Sequence, residues 1–275
     1  MPAARQLFQE TFRPAVLLLR LYRLLDNDDV RTEGVQVDEL RKIIGAQQNE
    51  ELLLVLNDVF LGLVREAAEL RRGELRRESL KNLLRQAVVS GCTAMEAFIQ
   101  FLLRENLVTV IRLKGRDFFP ADREVRGYFQ DFQFSLDNIF RILEGAEEDP
   151  QLFVANRILG HFKYKNLGSD KAVKTAGMML GLDAPWHQIA VHLDRNEGEL
   201  VESVKKAFDR RNDIVHRGDW DTIELTGNRQ DINYQWTEQS VLTIRSVCET
   251  LDELVSRRIE ELRVTREPRE ETTIR

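Results

Sequence analysis

The stretch that decides the interpretation of this chain reads Lys205-Lys206-Ala207-Phe208-Asp209-Arg210-Arg211-Asn212-Asp213-Ile214-Val215-His216-Arg217-Gly218-Asp219. If it is helical, steps of about 100° per residue place Arg211 within about 60° of the apolar side chains Leu200, Val204, Ala207, Phe208, Ile214 and Val215. An arginine in a core-facing position needs a carboxylate or a phosphate, because an unpaired buried charge is costly. Asn212 and His216 are four residues apart, so they stack on one polar edge beside the apolar stripe.

The side chains of Arg211, Asn212 and His216 suit phosphoester chemistry. An imidazole takes and returns protons at neutral pH. A guanidinium donates to phosphate oxygens and stabilises charge that develops in the transition state, and Asn212 can orient the imidazole or hydrogen-bond a substrate. His187 and His192 are five residues apart and fit no familiar metalloenzyme motif, so we predict neither a metal site nor a cofactor.

The rest of the chain predicts an all-α fold. Its 275 residues are 43% apolar and 31% charged, as in ordinary globular proteins, and 15 glycines and 6 prolines are fewer than average. Apolar residues recur at helical spacing in a segment that begins at about residue 50 and in the segments 7–25, 37–44, 80–106, 123–143, 150–162, 169–182, 197–215 and 238–262. The small residues from Ser90 to Ala94 predict a closely packed helix pair, and the segment from Asp219 to Tyr234 predicts a loop or short hairpin.

We divide the chain into three parts by its composition. Residues 1–73 form an N-terminal helical region, because Gly73, inside the charged run from Arg65 to Glu78, is the best boundary. Residues 74–265 form the main helical domain. Residues 266–275 are polar, which is typical of a disordered tail.

Charge and cysteine content exclude several classes of protein. The net charge of −6 argues against a protein that coats nucleic acid by bulk electrostatics, so any RNA contact must be local. Cys92 and Cys248 show no paired spacing, which favours a reducing, cytoplasmic compartment. The apolar run from Val16 to Leu25 is short and interrupted by arginines, so we predict no membrane span or signal peptide there.

The segment Arg211-Asn212-Asp213-Ile214-Val215-His216 resembles the signature of the HEPN superfamily. That signature is an arginine, a polar residue directly after it, and a histidine separated from the arginine by four to six residues near a helix end. The resemblance covers about residues 74–262 and includes the loop after the histidine and the closing amphipathic helix. It implies a HEPN-like helical bundle, to which the N-terminal region is added.

The resemblance also implies a function and roles for residues. HEPN ribonucleases are metal-independent endoribonucleases in which two protomers pair their signature helices. His216 would be the acid/base, Arg211 would bind the scissile phosphate, and Asn212 would support them. Attack by the ribose 2′-hydroxyl would leave a 2′,3′-cyclic phosphate, and DNA would not be cut because it lacks that hydroxyl.

The expected biology is that of a toxin or antiviral-defence effector that acts as a homodimer. A protein antitoxin or a trigger protein would be a further partner. One toxin subgroup of the family carries a tyrosine two residues after the histidine, where a nucleotidyltransferase adds AMP. Gly218 stands at that position here, so we do not expect that control.

Basic residues near the motif are candidates for binding the RNA backbone. These substrate-binding candidates are Lys205, Lys206, Arg210, Arg217, Lys163 and Lys165. The alternative is that these basic residues are an ordinary solvent-exposed edge of their helices and bind no RNA.

Other interpretations remain open. Arg211 could be a structural arginine paired with an acid, and His216 could cap a helix C-terminus; a non-catalytic module that binds RNA or protein would then be the alternative. Glu96 could be the acid that meets Arg211, although we favour an ordinary polar-face residue. Asp219 and Trp220 are close enough to His216 in sequence to line a site, but Trp220 is more simply a packing residue.

Overall fold

The computed structural model describes most of the chain. The described residues are 4–26, 77–119, 121–127, 129, 133–145, 149–163, 170–220 and 229–266. Within these ranges the secondary structure is helical, apart from an isolated antiparallel bridge between Trp220 and Arg229. The predicted all-α fold is therefore confirmed. The predicted helices at 37–44 and from about 50, the boundary at Gly73 and the tail 267–275 lie outside the described residues.

The helices have the following bounds. They are α1 Ala4–Leu25, α2 Arg77–Lys114, α3 Arg123–Gly127, α4 Leu136–Leu143, α5 Pro150–Lys163, α6 Asp170–Met179, α7 Pro185–His192, α8 Glu197–Arg217 and α9 Tyr234–Arg266. A 3-10 turn, Gly115–Phe118, follows α2.

Helix α2 is the centre of the fold, and its small residues allow the close packing that the sequence predicts. A Cβ atom on Gly91 would lie 3.7 Å from side chains of Val241 and Ile244 in α9 and 3.9 Å from Phe12 in α1. Any longer side chain at Gly91 would push these helices apart. Helices α1 and α9 therefore both pack directly on the middle of α2.

Helix α1 contributes to the same hydrophobic core as the rest of the described chain. Phe8 meets Phe98 of α2 edge to face, with ring centroids 5.3 Å apart. At the other end of α1, Tyr22 stacks on Tyr234 at the start of α9, with centroids 6.0 Å apart. The buried apolar residues of α1, α2, α6, α8 and α9 form one cluster.

Two of the predicted segments differ in the structure. The single helix predicted over 123–143 is wrong, because α3 ends at Gly127 and α4 begins again after Ser135, whose hydroxyl accepts from the Asn138 N–H at 3.2 Å. Helix α7 was not predicted, because its eight residues are too few to show periodicity and Pro185 signals a break, although proline suits the first turn of a helix.

Helix α2 is long and apolar enough to cross a membrane, by length and composition alone. Within the fold, 56% of its most apolar stretch is buried. A buried core helix of a soluble protein passes the same test, so this helix is weak evidence for a membrane span.

The close contact between α6 and α7 gives a prediction about stability. A Cβ atom on Gly177 would lie 2.6 and 2.7 Å from ring carbons of Pro185, and the proline ring cannot rotate away. We expect Gly177→Ala to lower the free energy of unfolding by about 1–3 kcal/mol, measured by urea denaturation. Gly160→Ala in α5 is the control, since no atom lies within 4 Å of its added methyl, and we expect no loss there. Equal stability of the Gly177 variant and the wild type would contradict the prediction.

Candidate functional site

Helix α8 is well defined at both ends, so the motif residues have fixed positions along it. The Asn196 side chain accepts from the Glu199 N–H at 3.0 Å, which is an ordinary N-cap. At the C-terminus Gly218 is left-handed, with φ +62°, and its N–H reaches the carbonyl of Ile214 at 3.1 Å. Glycine adopts this conformation without strain. The final turn, which contains His216, is therefore closed by a glycine cap.

The apolar stripe predicted on α8 is largely confirmed. Its buried members are Leu200, Val204, Ala207, Phe208 and Ile214. Val215 was predicted on the same stripe but is 51% exposed. It lies at the rim of the stripe, next to His216 in the chain.

Arg211 has a partner on another helix, as its half-buried position requires. Its Nη2 donates to Oε2 of Glu96 in α2 at 2.9 Å, and its Nη1 donates to Oδ1 of Asn212 at 3.0 Å. Its Nε is buried and has no hydrogen-bond partner among the described residues. The interpretation that we favoured for Glu96, an ordinary polar-face residue, is wrong, because this carboxylate is the acid that meets Arg211.

Asn212 and His216 are both exposed on the same edge of α8, four residues apart. The Asn212 oxygen accepts from Arg211, so in this structure it holds the guanidinium and not the imidazole. The His216 imidazole makes no hydrogen bond or ion pair to any other described residue, and it is exposed to solvent. The edge therefore presents an anchored guanidinium and an accessible imidazole together.

The side chains beneath Arg211 have shifted pKa values. Burial raises the pKa of the Glu96 carboxyl, and the positive charge of Arg211 opposes that rise. Burial likewise raises the pKa of the Cys92 thiol above its ordinary range. Cys92 is fully buried, so it acts as a small apolar residue beneath the pair and not as a nucleophile.

Arg210 was predicted to bind substrate, and in the structure it is held by a carboxylate from the end of its own helix. Its guanidinium contacts the buried carboxylate of Asp219, with Nη2 donating to Oδ2 at 2.9 Å and Nε lying 2.8 Å from Oδ1. Arg85 of α2 donates to the same Oδ2 from Nε at 2.5 Å. We call these three side chains the Asp219 clamp. Arg210 belongs to this clamp because a fully buried carboxylate needs charged partners.

The Asp219 clamp also fixes the chain that returns toward α9. The backbone N–H of Gln230 donates to the Asp219 carbonyl at 2.8 Å. Arg85 and Arg210 both donate to the Gln230 carbonyl, at 3.0 and 3.1 Å. The two flanks of the segment 221–228 are thereby held together beside the last turn of α8.

Trp220 lies on the surface next to this clamp. Its indole is 46% exposed, and a Cβ atom on Gly218 would lie 3.3 Å from its Cδ1. The Arg229 guanidinium lies over the ring, 5.5 Å from the centroid. Of the residues suspected from their closeness to His216, Trp220 is thus accessible, whereas Asp219 is buried and structural.

Three of the remaining predicted substrate-binding residues lie on α8 within the described part of the chain, and two of these have an acidic neighbour. Lys205 and Lys206 are exposed on α8, but Lys206 lies 3.7 Å from Glu202. Arg217 pairs with Asp213 at 3.4 Å on the surface. Lys165 and the side chain of Lys163 lie outside the described residues.

Among the described residues, no group of histidine, cysteine, aspartate and glutamate side chains is arranged to hold a metal ion. Comparison with protein-family models, with curated proteins and with solved structures finds no match to this chain. The function must therefore be argued from the site itself.

Sequence reasoning missed Arg85, although a signal for it exists. Arg85 lies three residues before Val88 and seven before Cys92, both of which are fully buried, so it too stands on a core-facing position of its helix. A core-facing Arg85 needs an acidic partner for the same reason as Arg211. No local pattern identifies that acid as Asp219, which is 134 residues away.

The clamp predicts a large effect of a single substitution. Asp219→Ala leaves two guanidinium groups facing each other with no carboxylate between them, so we expect a loss of about 3–5 kcal/mol in the free energy of unfolding. Urea denaturation measures this loss. Asp209→Ala, at an exposed position of the same helix, should change stability by less than about 0.5 kcal/mol. A small effect of Asp219→Ala would show that the clamp contributes little.

The raised pKa of Glu96 predicts a pH dependence of stability. The folded state binds a proton at Glu96 more readily than the unfolded state, so the contribution of this carboxyl to folding decreases as pH rises through the raised pKa. Glu96→Gln should remove that decrease, as seen by urea denaturation between acid and neutral pH. Arg211→Gln should enlarge it, since the charge that lowers the pKa is gone. A wild-type stability that rises relative to Glu96→Gln over this range would contradict the assignment.

Proposed function

We propose that this protein is a metal-independent endoribonuclease of the HEPN type. The observation that supports this is the accessible edge of α8, where the Arg211 guanidinium is anchored and the His216 imidazole is open to solvent. The glycine cap and the Asp219 clamp hold this turn in place. Arginine, asparagine and histidine at these positions also carry the resemblance to the HEPN signature.

The proposed reaction uses the ribose 2′-hydroxyl as nucleophile. An imidazole takes the proton from the 2′-oxygen, which attacks the adjacent phosphorus, and the bond to the 5′-oxygen breaks when that oxygen receives a proton. The products are a 2′,3′-cyclic phosphate and a free 5′-hydroxyl. Arg211 stabilises the extra negative charge on the phosphate oxygens. Its Nη atoms each keep a second N–H beyond those used for Glu96 and Asn212.

A homodimer completes this proposal. Proton removal from the 2′-oxygen and proton delivery to the 5′-oxygen occur on opposite sides of the phosphorus, and the motif supplies one histidine in each chain. A second copy related by a two-fold axis would bring its own motif to the same phosphate. The exposed Val215 beside His216 offers an apolar contact for such a partner. In the cell, we propose a cytoplasmic toxin or antiviral-defence effector that a protein antitoxin or trigger controls.

One observation favours the alternative of a non-catalytic module that binds RNA or protein. Glu96 already neutralises the charge of Arg211, as it would for a purely structural arginine. In that case His216 would serve only as a polar side chain at the C-terminal end of α8.

Cleavage of RNA in the presence of excess EDTA distinguishes the two functions. We expect a mixed pool of structured and single-stranded RNAs to be cut, with 2′,3′-cyclic phosphate ends. His216→Ala should lower kcat by about 10²- to 10⁴-fold, because general acid/base catalysis has that magnitude, and Arg211→Ala should lower it as well. His187→Ala is the matched control, since His187 is an exposed histidine on α7.

Several outcomes would overturn the ribonuclease. Absence of cleavage of any RNA, with RNA or partner binding equal in wild type and both motif variants, would support the binding module. Cleavage that survives in His216→Ala would exclude that residue as the acid/base. Light scattering that shows a stable monomer at assay concentration would contradict the composite site.

A further inference from the structure

The surface beside His216 carries an exposed tryptophan that the proposed reaction does not use. Trp220 is 46% exposed, although a large aromatic side chain gains from burial and most of the large apolar residues here are buried. It follows α8 directly, four residues after His216. Trp220 therefore offers an accessible aromatic face in the segment that follows the candidate catalytic histidine.

The backbone under Trp220 is held in an unusual conformation. Gly218 has φ +62° and Asp219 has φ +66°, and aspartate in the left-handed region is uncommon. The Asp219 clamp stabilises this corner, because two guanidinium groups hold its side chain and Gln230 holds its carbonyl. The Trp220 N–H also donates to the Arg217 carbonyl at 3.2 Å. The position of the indole is therefore well determined.

A positive charge lies beside the indole. The Arg229 guanidinium lies 5.5 Å from the ring centroid and donates to Oδ1 of Asn82 at 3.0 Å. The isolated bridge between Trp220 and Arg229 keeps the two residues opposite each other. Among the described residues, this guanidinium has no carboxylate partner.

This arrangement has the chemistry of a subsite for an unpaired nucleobase. Bases in single-stranded RNA stack on exposed aromatic side chains, and cationic side chains alongside bind the neighbouring phosphate. A Cβ atom on Gly218 would lie 3.3 Å from Cδ1 of the indole. Gly218 is two residues from His216, and two residues of chain span at most about 7 Å. A base on Trp220 would therefore place its own nucleotide next to the catalytic edge.

We propose that Trp220 and Arg229 form a nucleobase-stacking subsite that selects single-stranded RNA at this site. The proposal rests on the proposed function and adds a substrate class to it. Trp220 stacks on one unpaired base, and Arg229 contacts the phosphate of that nucleotide or of its neighbour. A base held in a duplex cannot reach the indole, so double-stranded RNA does not use the subsite.

Binding of an uncleavable RNA tests the subsite independently of catalysis. The probe is a labelled single-stranded 2′-O-methyl RNA of mixed sequence, and the same strand annealed to its complement. We expect Trp220→Ala to weaken single-strand binding by about 5- to 100-fold. Trp220→Phe keeps an aromatic ring, so it should lose less single-strand affinity than Trp220→Ala. Arg229→Gln should lower both the single-strand affinity and the dependence of that affinity on salt. The Kd for the duplex should differ by less than about twofold between Trp220→Ala and the wild type.

Phe140→Ala is the matched control, because Phe140 is also an exposed aromatic residue, 55% exposed, but lies on α4. Its effect on single-strand binding should stay below about twofold. Tryptophan fluorescence gives a second readout that does not need a destabilising variant. Single-stranded RNA should quench the wild type, and Trp220→Phe, which keeps the other tryptophans Trp186 and Trp236, should lose that quenching.

The outcomes separate this inference from the proposed function. Equal single-strand Kd values for wild type and Trp220→Ala, equal losses for single strand and duplex, or no RNA binding by the wild type would each overturn the subsite. RNA cleavage with unchanged kcat/KM in Trp220→Ala would overturn the subsite and leave the ribonuclease intact. The subsite would be supported, and the ribonuclease rejected, if Trp220→Ala lost single-strand binding and Trp220→Phe lost quenching while the wild type cut no RNA.

Discussion

The fully buried carboxylate of Asp219 is the group on which the geometry of the candidate site depends. It lies between Arg85 of α2 and Arg210 of α8, and its backbone carbonyl accepts from Gln230, just before α9. Charges removed from water are stable only with such partners. Asp219 therefore joins the central helix α2, helix α8 and the segment that leads into α9. The position of His216 relative to the core follows from this junction.

Neighbouring arginines on α8 have different roles because they face different elements. Arg210 turns toward Asp219 and holds the end of its own helix, whereas Arg211 turns toward Glu96 and stays at the accessible edge. Arg211 and Glu96 are only partly buried, with 21% and 24% of their side chains exposed. In the proposed ribonuclease, the exposed part of the Arg211 guanidinium is the part that would meet a phosphate.

Much of the fold and part of the site could be predicted from the sequence. The spacing of apolar residues predicts α1, α2, α5, α6, α8 and α9, and small residues around Gly91 predict the close packing on α2. These are properties of single helices, and helical periodicity is local. The break between α3 and α4 was not predicted, because apolar residues keep a helical spacing across it. The helix itself ends at Gly127 and starts again at Leu136.

By itself, the sequence determined an all-α fold and the stacking of Asn212 and His216 on one edge of α8, because residues four positions apart on a helix are neighbours. Only the tertiary structure decided which arginine pairs with the buried Asp219 and which pairs with α2. It also decided that Glu96 pairs with Arg211 and that Asp219 is buried between two cations. Glu96 is 115 residues from Arg211, and Arg85 is 134 residues from Asp219. The choice of these partners depends on how the helices pack and on the cost of burying a charge without a partner, which no local pattern contains.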